Sequence, residues 1–172
     1  MTAEHLPVLL REVVEMLAPV RGGTYIDATV GLGGHSEEIL KMIGRNGRVI
    51  GIDRDEKALA RAAARLDDDR VILKKGRFSD VEAILGSLGV TAVDGVLFDL
   101  GVSMLQLKSP SRGFSFLSVS RLDMRMDRRQ KLSAWDVVNR YPGKEIERIL
   151  REFGEERLSR KIAEAITARR QK

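Results

Sequence analysis

The string YIDATVGLGGHS at residues 25–36, followed by GID at residues 51–53, constrains the fold of this chain more than any other feature. An apolar run passes into glycines, then into a helix-like segment, then into a second apolar run that ends in Asp53. Glycines let the backbone turn tightly, and the helix that follows presents unpaired N–H groups at the turn. A carboxylate at the tip of the second strand can accept hydrogen bonds from ribose hydroxyls. The pattern predicts a strand–helix–strand unit with a site for a nucleotide-like cofactor.

These residues alone also allow a purely structural explanation of the pattern, without a cofactor. Many strand-to-helix loops contain glycines for their turn geometry, and Asp53 could cap a helix that begins near Asp55. The string GLGGHS at 31–36 lacks the third glycine of the Gly-x-Gly-x-x-Gly fingerprint, which disfavours a pyrophosphate-bearing cofactor such as NAD or FAD. A cofactor with an adenosine and no pyrophosphate fits better, so we predict S-adenosylmethionine.

Strand-like and helix-like segments alternate along the first hundred residues. Strand-like runs fall at 24–29, 48–53, 70–73 and 93–100, and helix-like segments at 7–18, 36–43, 56–66 and 80–88. This alternation indicates an α/β fold with a parallel sheet and right-handed crossovers. Open sheets of this kind bind ligands at the carboxyl ends of their strands. The residues at or just beyond those ends are Gly31, Asp53, Phe78 and Asp99.

Beyond residue 103 the sequence changes to a loop followed by helical patterns, so we predict two domains, 1–103 and 104–172. Ser133 is predicted to cap a helix.

The net charge of +5 comes from the last third of the chain, because residues 121–172 contain 15 Lys and Arg against 9 Asp and Glu. This asymmetry favours a polyanionic partner such as RNA, and a solvated helical face explains the charge equally well.

The composition limits the compartment. The chain has no cysteine, which excludes disulfides, and no run approaches the roughly 18 apolar residues of a membrane span. The first five residues lack the basic-then-apolar order of a signal peptide. We expect a cytoplasmic protein without a membrane partner, and no metal site is predicted.

Eight strings occur in order: HLPVLL (5–10), DATVGLGGHS (27–36), GIDRD (51–55), GRFS (76–79), DGVLFDLGVS (94–103), RGFSF (112–116), LDMRMD (122–127) and GEER (154–157). Together they resemble the bacterial S-adenosylmethionine-dependent 16S ribosomal RNA cytosine-N4 methyltransferases, the MraW or RsmH family. The resemblance implies a class I, Rossmann-like methyltransferase sheet, here only about its first four parallel strands, plus the start of a helical insertion subdomain. It implies methylation of the exocyclic N4 of a cytidine in the decoding centre of the small ribosomal subunit.

The resemblance also implies a set of cofactor-binding residues: Gly33, Gly34, His35, Asp53, Phe78, Asp99 and Gln106. The glycines and His35 would contact the methionine and adenosine parts, Asp53 the ribose and Phe78 the adenine, with Asp99 and Gln106 at the rim that faces the substrate. Local explanations stay open here too. His35 could cap its own helix, Phe78 could be core, and Asp99 could cap the next element.

The chemistry of the substrate assigns further roles. The lone pair of a cytosine amino group is delocalised, so an acceptor for one of its N–H groups would localise that pair, and Asp99 is predicted to be this acceptor. The target base must leave its stack to react. Aromatic or guanidinium planes could hold it, and the candidates are Arg112, Phe114 and Phe116.

The sequence departs from the family pattern after residue 103, where Met104, Leu105 and Lys108 replace the Ser, Pro and Asp of Ser-Pro-Gln-Leu-Asp. Family members are also longer. We therefore expect an N-terminal portion with an exposed apolar edge at 93–100, through which two copies could pair as a homodimer. Two other functions stay open: a cofactor- and RNA-binding module without catalysis, and an NAD-dependent oxidoreductase, which only the glycine turn and Asp53 support.

Overall fold

The computed structural model describes residues 7–170. The chain forms two compact units, residues 1–103 and 104–172. The first unit has the α/β composition predicted for it, and the second consists of helices and long loops. Among the described residues, no helix is long and apolar enough to cross a membrane.

Four parallel strands form the sheet of the first unit: β1 (Thr24–Asp27), β2 (Arg48–Asp53), β3 (Val71–Lys75) and β4 (Gly95–Leu97). They lie in the order β3-β2-β1-β4, with all three pairings parallel. This is the order of the first four strands of a doubly wound sheet, in which the direction of winding reverses between β1 and β4. The predicted Rossmann-like sheet of four parallel strands is confirmed.

Four helices belong to the same unit: α1 (Leu10–Leu17), α2 (Gly34–Ile43), α3 (Glu56–Leu66) and α4 (Val81–Ser87). The observed bounds of β2 and α3 equal the predicted ones. The fourth strand is shorter than the predicted 93–100, since β4 pairs only with β1, and β1 ends at Asp27. β4 therefore lies at an edge of the described sheet, with Val96 exposed.

Apolar side chains cover both faces of the sheet, as expected for parallel strands flanked by helices. Successive residues of a strand point to opposite faces. Tyr25 and Val49 belong to one buried cluster, together with Ile39 and Ile43 of α2. Ile26, Ile50 and Ile52 belong to a second buried cluster, which continues to Val90. This packing fixes the carboxyl ends of β1 and β2, where the predicted site residues lie.

The second unit contains α5 (Met104–Lys108), α6 (Ala134–Arg140), α7 (Gly143–Glu152) and α8 (Ser159–Arg169). Ser133 caps α6 as predicted. Its hydroxyl accepts from the backbone N–H of Asp136 at 3.3 Å, and the carboxylate of Asp136 accepts from the backbone N–H of Ser133 at 3.1 Å. α7 and α8 pack against each other and bury Ile146 and Ala163.

Candidate cofactor-binding site

The loop between β1 and α2 starts beside the point where the winding of the sheet reverses. Gly31 and Gly33 have φ values of 53° and 81°, in the left-handed region that favours glycine. A Cβ atom on Gly33 would lie 2.9 Å from Cδ1 of Leu66, and one on Gly34 would lie 2.3 Å from Cγ of Pro7. The positive φ values favour glycine at Gly31 and Gly33, and a side chain at Gly33 or Gly34 would have to displace Leu66 or Pro7.

Asp53 ends β2, and its carboxylate closes the glycine loop. Oδ2 accepts a hydrogen bond from the backbone N–H of Gly31 at 3.0 Å, and Oδ1 accepts one from the N–H of Asp55 at 2.8 Å. Burial raises the pKa of Asp53, and these backbone N–H groups oppose the rise. The alternative that Asp53 caps α3 is wrong, because the cap is Asp55, which accepts from the N–H of Lys57 at 3.0 Å.

His35 is buried in the first turn of α2. Its Nε2 lies 3.2 Å from the carbonyl oxygen of Val8, and its Nδ1 lies 4.0 Å from Oδ2 of Asp99. The start of α2 has no side-chain cap, so the alternative that His35 caps its own helix is wrong. The ring instead lies between the segment before α1 and the residues that follow β4.

Asp99 lies two residues beyond β4, and its backbone is fixed while its side chain is accessible. The backbone N–H donates to Oγ1 of Thr29 at 2.7 Å. The side chain is 54% exposed. A carboxylate held at this end of the sheet can accept a hydrogen bond from an incoming group.

Phe78 is 49% exposed, so the alternative that it is ordinary core is wrong. It follows β3, and its ring meets the ring of Phe98, which follows β4, edge to face with centroids 6.1 Å apart and an interplanar angle of 88°. The residues after the two outer strands therefore meet through two half-exposed aromatic rings. Sequence reasoning did not select Phe98, although its place beside Asp99 was a usable signal.

Asp27 is the functional candidate that sequence reasoning missed. It is the last residue of β1 and is buried, with Oδ2 accepting from the hydroxyl of Ser36 at 2.8 Å and Oδ1 accepting from the N–H of Thr29 at 3.3 Å. Burial raises the pKa of Asp27 to about 6, although both hydrogen bonds and the nearby His35 lower it. Strongly shifted carboxyl groups cluster at functional sites. The available signal was an acid at the end of an otherwise apolar strand.

The other predicted site residues belong to the second unit. Gln106 is buried within α5, and its contact with a cofactor stays a prediction. Arg112 is buried, and its Nη2 donates to the carbonyl oxygens of Arg125 and Met126 at 2.9 and 2.8 Å. The guanidinium is therefore used to bind the backbone at Arg125 and Met126. This argues against Arg112 as a plane on which an RNA base stacks. Phe116 is 98% exposed, whereas Phe114 is partly buried.

Within residues 7–170, no group of three or more His, Cys, Asp or Glu side chains is arranged to hold a metal ion. The carboxylates of Asp27 and Asp53 accept hydrogen bonds from backbone N–H groups and, at Asp27, from a hydroxyl. Such an arrangement suits an organic ligand that donates hydrogen bonds.

Comparison with known proteins decides the family. Residues 2–172 match the model of the MraW methylase family. The chain belongs to the MraW methylase family. The resemblance inferred from the eight strings is confirmed.

Several curated proteins are similar along nearly all of this chain. The ribosomal RNA small subunit methyltransferase H of Carboxydothermus hydrogenoformans is 52% identical over 100% of the chain and 55% of its own length. The protein of the same name from Caldicellulosiruptor saccharolyticus is 48% identical over 98% of the chain and 55% of its own length. The chain therefore spans about half the length of these curated relatives.

A solved structure adds one comparison. A candidate rRNA methylase from Clostridium thermocellum is 31% identical, with a TM-score of 0.49, over 55% of this chain and 51% of its own.

Proposed function

We propose that the first unit of this MraW-family chain binds S-adenosylmethionine at the carboxyl edge of its sheet. The observation that carries the proposal is the hydrogen bond between Asp53 and the Gly31 loop, at the point where an open sheet of this order binds ligands. The two backbone N–H groups occupy only part of the acceptor capacity of a carboxylate, which has about four lone-pair sites. Asp53 can therefore also accept from ribose hydroxyls.

The neighbouring residues fit the rest of such a ligand. Gly31 carries no Cβ atom, so a ligand can approach the backbone closely at the turn. The half-exposed ring of Phe78 offers a face to adenine, since every base can stack on an aromatic side chain. Gly34 packs closely against Pro7, and the buried ring of His35 contacts the carbonyl oxygen of Val8. Both residues thereby hold the turn in place. For Gln106, a contact with the cofactor is implied by the family resemblance alone.

We further propose that Asp99 assists transfer of a methyl group to the exocyclic N4 of a cytosine. S-adenosylmethionine carries its methyl group on a sulfonium, and the positive charge already activates the sulfur as the leaving group. The protein then has to align the amine and exclude water. The carboxylate of Asp99 accepts one N–H of the amine, which localises the nitrogen lone pair, and it holds the proton that the amine loses. Its half-exposed position and fixed backbone suit that role.

The proposed substrate is 16S ribosomal RNA, with the target cytidine in the decoding centre of the small subunit. The relatives named above are ribosomal RNA small subunit methyltransferases, and this supports the RNA class. The second unit is proposed to recognise the RNA, with Phe116 and Phe114 as the aromatic side chains that hold the extruded base.

A thermal-shift comparison of S-adenosylhomocysteine with NADH tests the cofactor. A ligand at 100 times its dissociation constant stabilises a protein by roughly 2.7 kcal/mol. We expect S-adenosylhomocysteine to raise the unfolding temperature and NADH to leave it unchanged. Stabilisation by NADH alone would favour an oxidoreductase and contradict the proposal.

A methyl-transfer assay on small-subunit RNA, with this chain and with a chain extended to the length of its relatives, then tests the activity. Methyl incorporation at a cytosine N4 by the extended chain supports the proposed reaction. Cofactor binding by both chains with transfer by neither would leave only a binding module.

A further inference from the structure

We propose that a basic cavity in the second unit binds the phosphodiester backbone of RNA. The cavity has a volume of about 400 Å³. Besides two serine hydroxyls, it is lined by six charged side chains, Arg121, Asp123, Arg125, Arg128, Lys131 and Asp136. Four cations against two carboxylates leave an excess of two positive charges in one concavity, which concentrates anions. The inference rests on the proposed function, because RNA is the substrate class proposed there.

Asp123 and Arg125 form the fixed floor of this cavity. Arg125 Nε and Nη2 donate to the two carboxylate oxygens of Asp123 at 2.6 and 3.0 Å, and Arg125 Nη1 donates to the carbonyl oxygen of Gln130 at 2.6 Å. This bidentate pair lowers the pKa of Asp123. The buried carboxylate therefore stays ionised at neutral pH and keeps Arg125 in place.

The walls are held by contacts within the same unit. The guanidinium of Arg121 lies 4.2 Å from the centroid of the Trp135 ring, a cation–π contact. Asp136 is bound by the N–H of Ser133 and by Arg140 Nη1 at 3.1 Å each. Arg121 and Asp136 therefore hold the cavity wall in place, and their opposite charges cancel.

Arg128 and Lys131 supply the excess charge. The side chain of Arg128 is 51% exposed, and its Nε lies 3.8 Å from Oδ2 of Asp123, beyond hydrogen-bond distance. Lys131 is exposed at the cavity. A guanidinium fork binds phosphate oxygens in pairs, and a lysine ammonium binds them as a point charge. The neighbouring Arg129 differs, because it does not line the cavity and pairs with Asp127 at 3.1 Å.

Backbone hydrogen bonds hold the first part of the loop that carries these side chains, although the loop has no regular secondary structure. Its backbone is tied to Arg112 by the bond from Met124 N–H at 2.9 Å, and Leu122 and Asp123 carbonyls accept from the first turn of α6 at 2.7 and 2.9 Å. A Cβ atom on Gly113 would lie 2.6 Å from the nitrogen of Asp123. Met124 is held at φ 57°, a strained value for a residue other than glycine and one that occurs at ligand clamps. A preorganised loop loses little entropy when it binds a ligand.

The salt dependence of RNA binding tests the cavity directly. Each phosphate contact contributes about 0.7 to the slope of log K against log salt for single-stranded RNA. We expect the double variant Arg128→Gln, Lys131→Gln to lower the magnitude of that slope by roughly one and to weaken binding uniformly across sequences. The measurement is fluorescence anisotropy with a labelled single strand of small-subunit ribosomal RNA over a salt series. Arg129→Gln removes one positive charge from the same loop and should leave the slope unchanged.

The outcomes separate this inference from the proposed function. An unchanged slope in the double variant, with RNA still bound, overturns the cavity alone, as does an equal loss with Arg129→Gln. If the double variant loses affinity for inorganic phosphate and keeps its RNA slope, the cavity serves a free phosphate and the inference is wrong. A wild-type chain that binds S-adenosylhomocysteine by calorimetry but binds no RNA contradicts the proposed substrate itself. Unchanged S-adenosylhomocysteine affinity in all variants shows that the fold is intact.

Discussion

Oδ2 of Asp53 accepts a hydrogen bond from the backbone N–H of Gly31 across 3.0 Å. The acid at the tip of β2 and the glycine turn after β1 are therefore one structural unit, although 22 positions separate them in the chain. This bond sets the shape of the turn before any ligand binds. Ribose hydroxyls would then meet acceptors that are already oriented.

Gly33→Ala should destabilise the protein more than Gly89→Ala. Both glycines have positive φ, 81° and 66°, so both substitutions add left-handed strain of about 1–2 kcal/mol. A Cβ atom at Gly33 also meets Leu66 at 2.9 Å, whereas one at Gly89 meets nothing within 4 Å. Urea denaturation measures both free energies of unfolding. Equal losses would show that Leu66 yields to the added methyl group.

Asp27→Asn should stabilise the protein at neutral pH but not in acid. Because the pKa of Asp27 is about 6 when folded and 3.8 ordinarily, the folded state holds a proton between those pH values that the unfolded state has lost. The stability from this group is present below about pH 4 and is lost as the pH rises to about 6. An asparagine resembles the protonated acid, so the gain at pH 7.5 is at most roughly 3 kcal/mol.

Urea denaturation of wild type and Asp27→Asn between pH 4 and 7.5 measures this difference. The gain in unfolding free energy should grow between pH 4 and about 6 and then level off. A difference that does not vary with pH would contradict a raised pKa at Asp27.

Phe78→Ala should weaken the binding of S-adenosylhomocysteine, because stacking of a base on an aromatic ring contributes about 1–3 kcal/mol. The expected loss is about 5- to 150-fold in affinity. Phe98→Ala is the matched variant, since Phe98 is also half-exposed and meets Phe78 edge to face. It should cost less, because it removes only support for the stacking ring. A greater loss in Phe98→Ala would assign the adenine to Phe98 instead.

Asp99→Asn should spare cofactor binding and abolish methyl transfer. The backbone bond from Asp99 to Thr29 does not involve the carboxylate, so the variant keeps its position. An amide cannot take up the proton that the cytosine amine loses. The assay is methyl incorporation into small-subunit RNA by a chain of the relatives' length. Transfer at the wild-type rate would remove Asp99 from the mechanism.

Local sequence signals predicted the parts of the fold that local interactions determine. β2 and α3 have the predicted bounds because an unbroken apolar run ends at Asp53 and Asp55 supplies a side-chain cap. Ser133 caps α6 for the same kind of reason. The predicted length of β4 was wrong, because the length of this strand depends on where its pairing partner β1 ends.

The properties that depend on tertiary packing could not be predicted. The raised pKa of Asp27 results from its burial, and the position of an acid at the end of an apolar strand does not give the extent of that burial. Phe78 is half-exposed and Arg112 is buried, although their residue types suggest the reverse. In both cases, contacts distant in sequence decide the exposure.

Calorimetric titration of S-adenosylhomocysteine into wild type, Asp53→Ala and Asp55→Ala tests the cofactor site most directly. Asp55→Ala removes the side-chain cap of α3, so it should cost about 1 kcal/mol of stability and leave affinity nearly unchanged. Asp53→Ala removes the proposed ribose acceptor and the bond to Gly31, and hydrogen bonds to a charged group contribute about 1.5–3 kcal/mol each. We predict at least about a tenfold loss of affinity in Asp53→Ala. Equal affinity in wild type and Asp53→Ala would contradict S-adenosylmethionine binding at this turn.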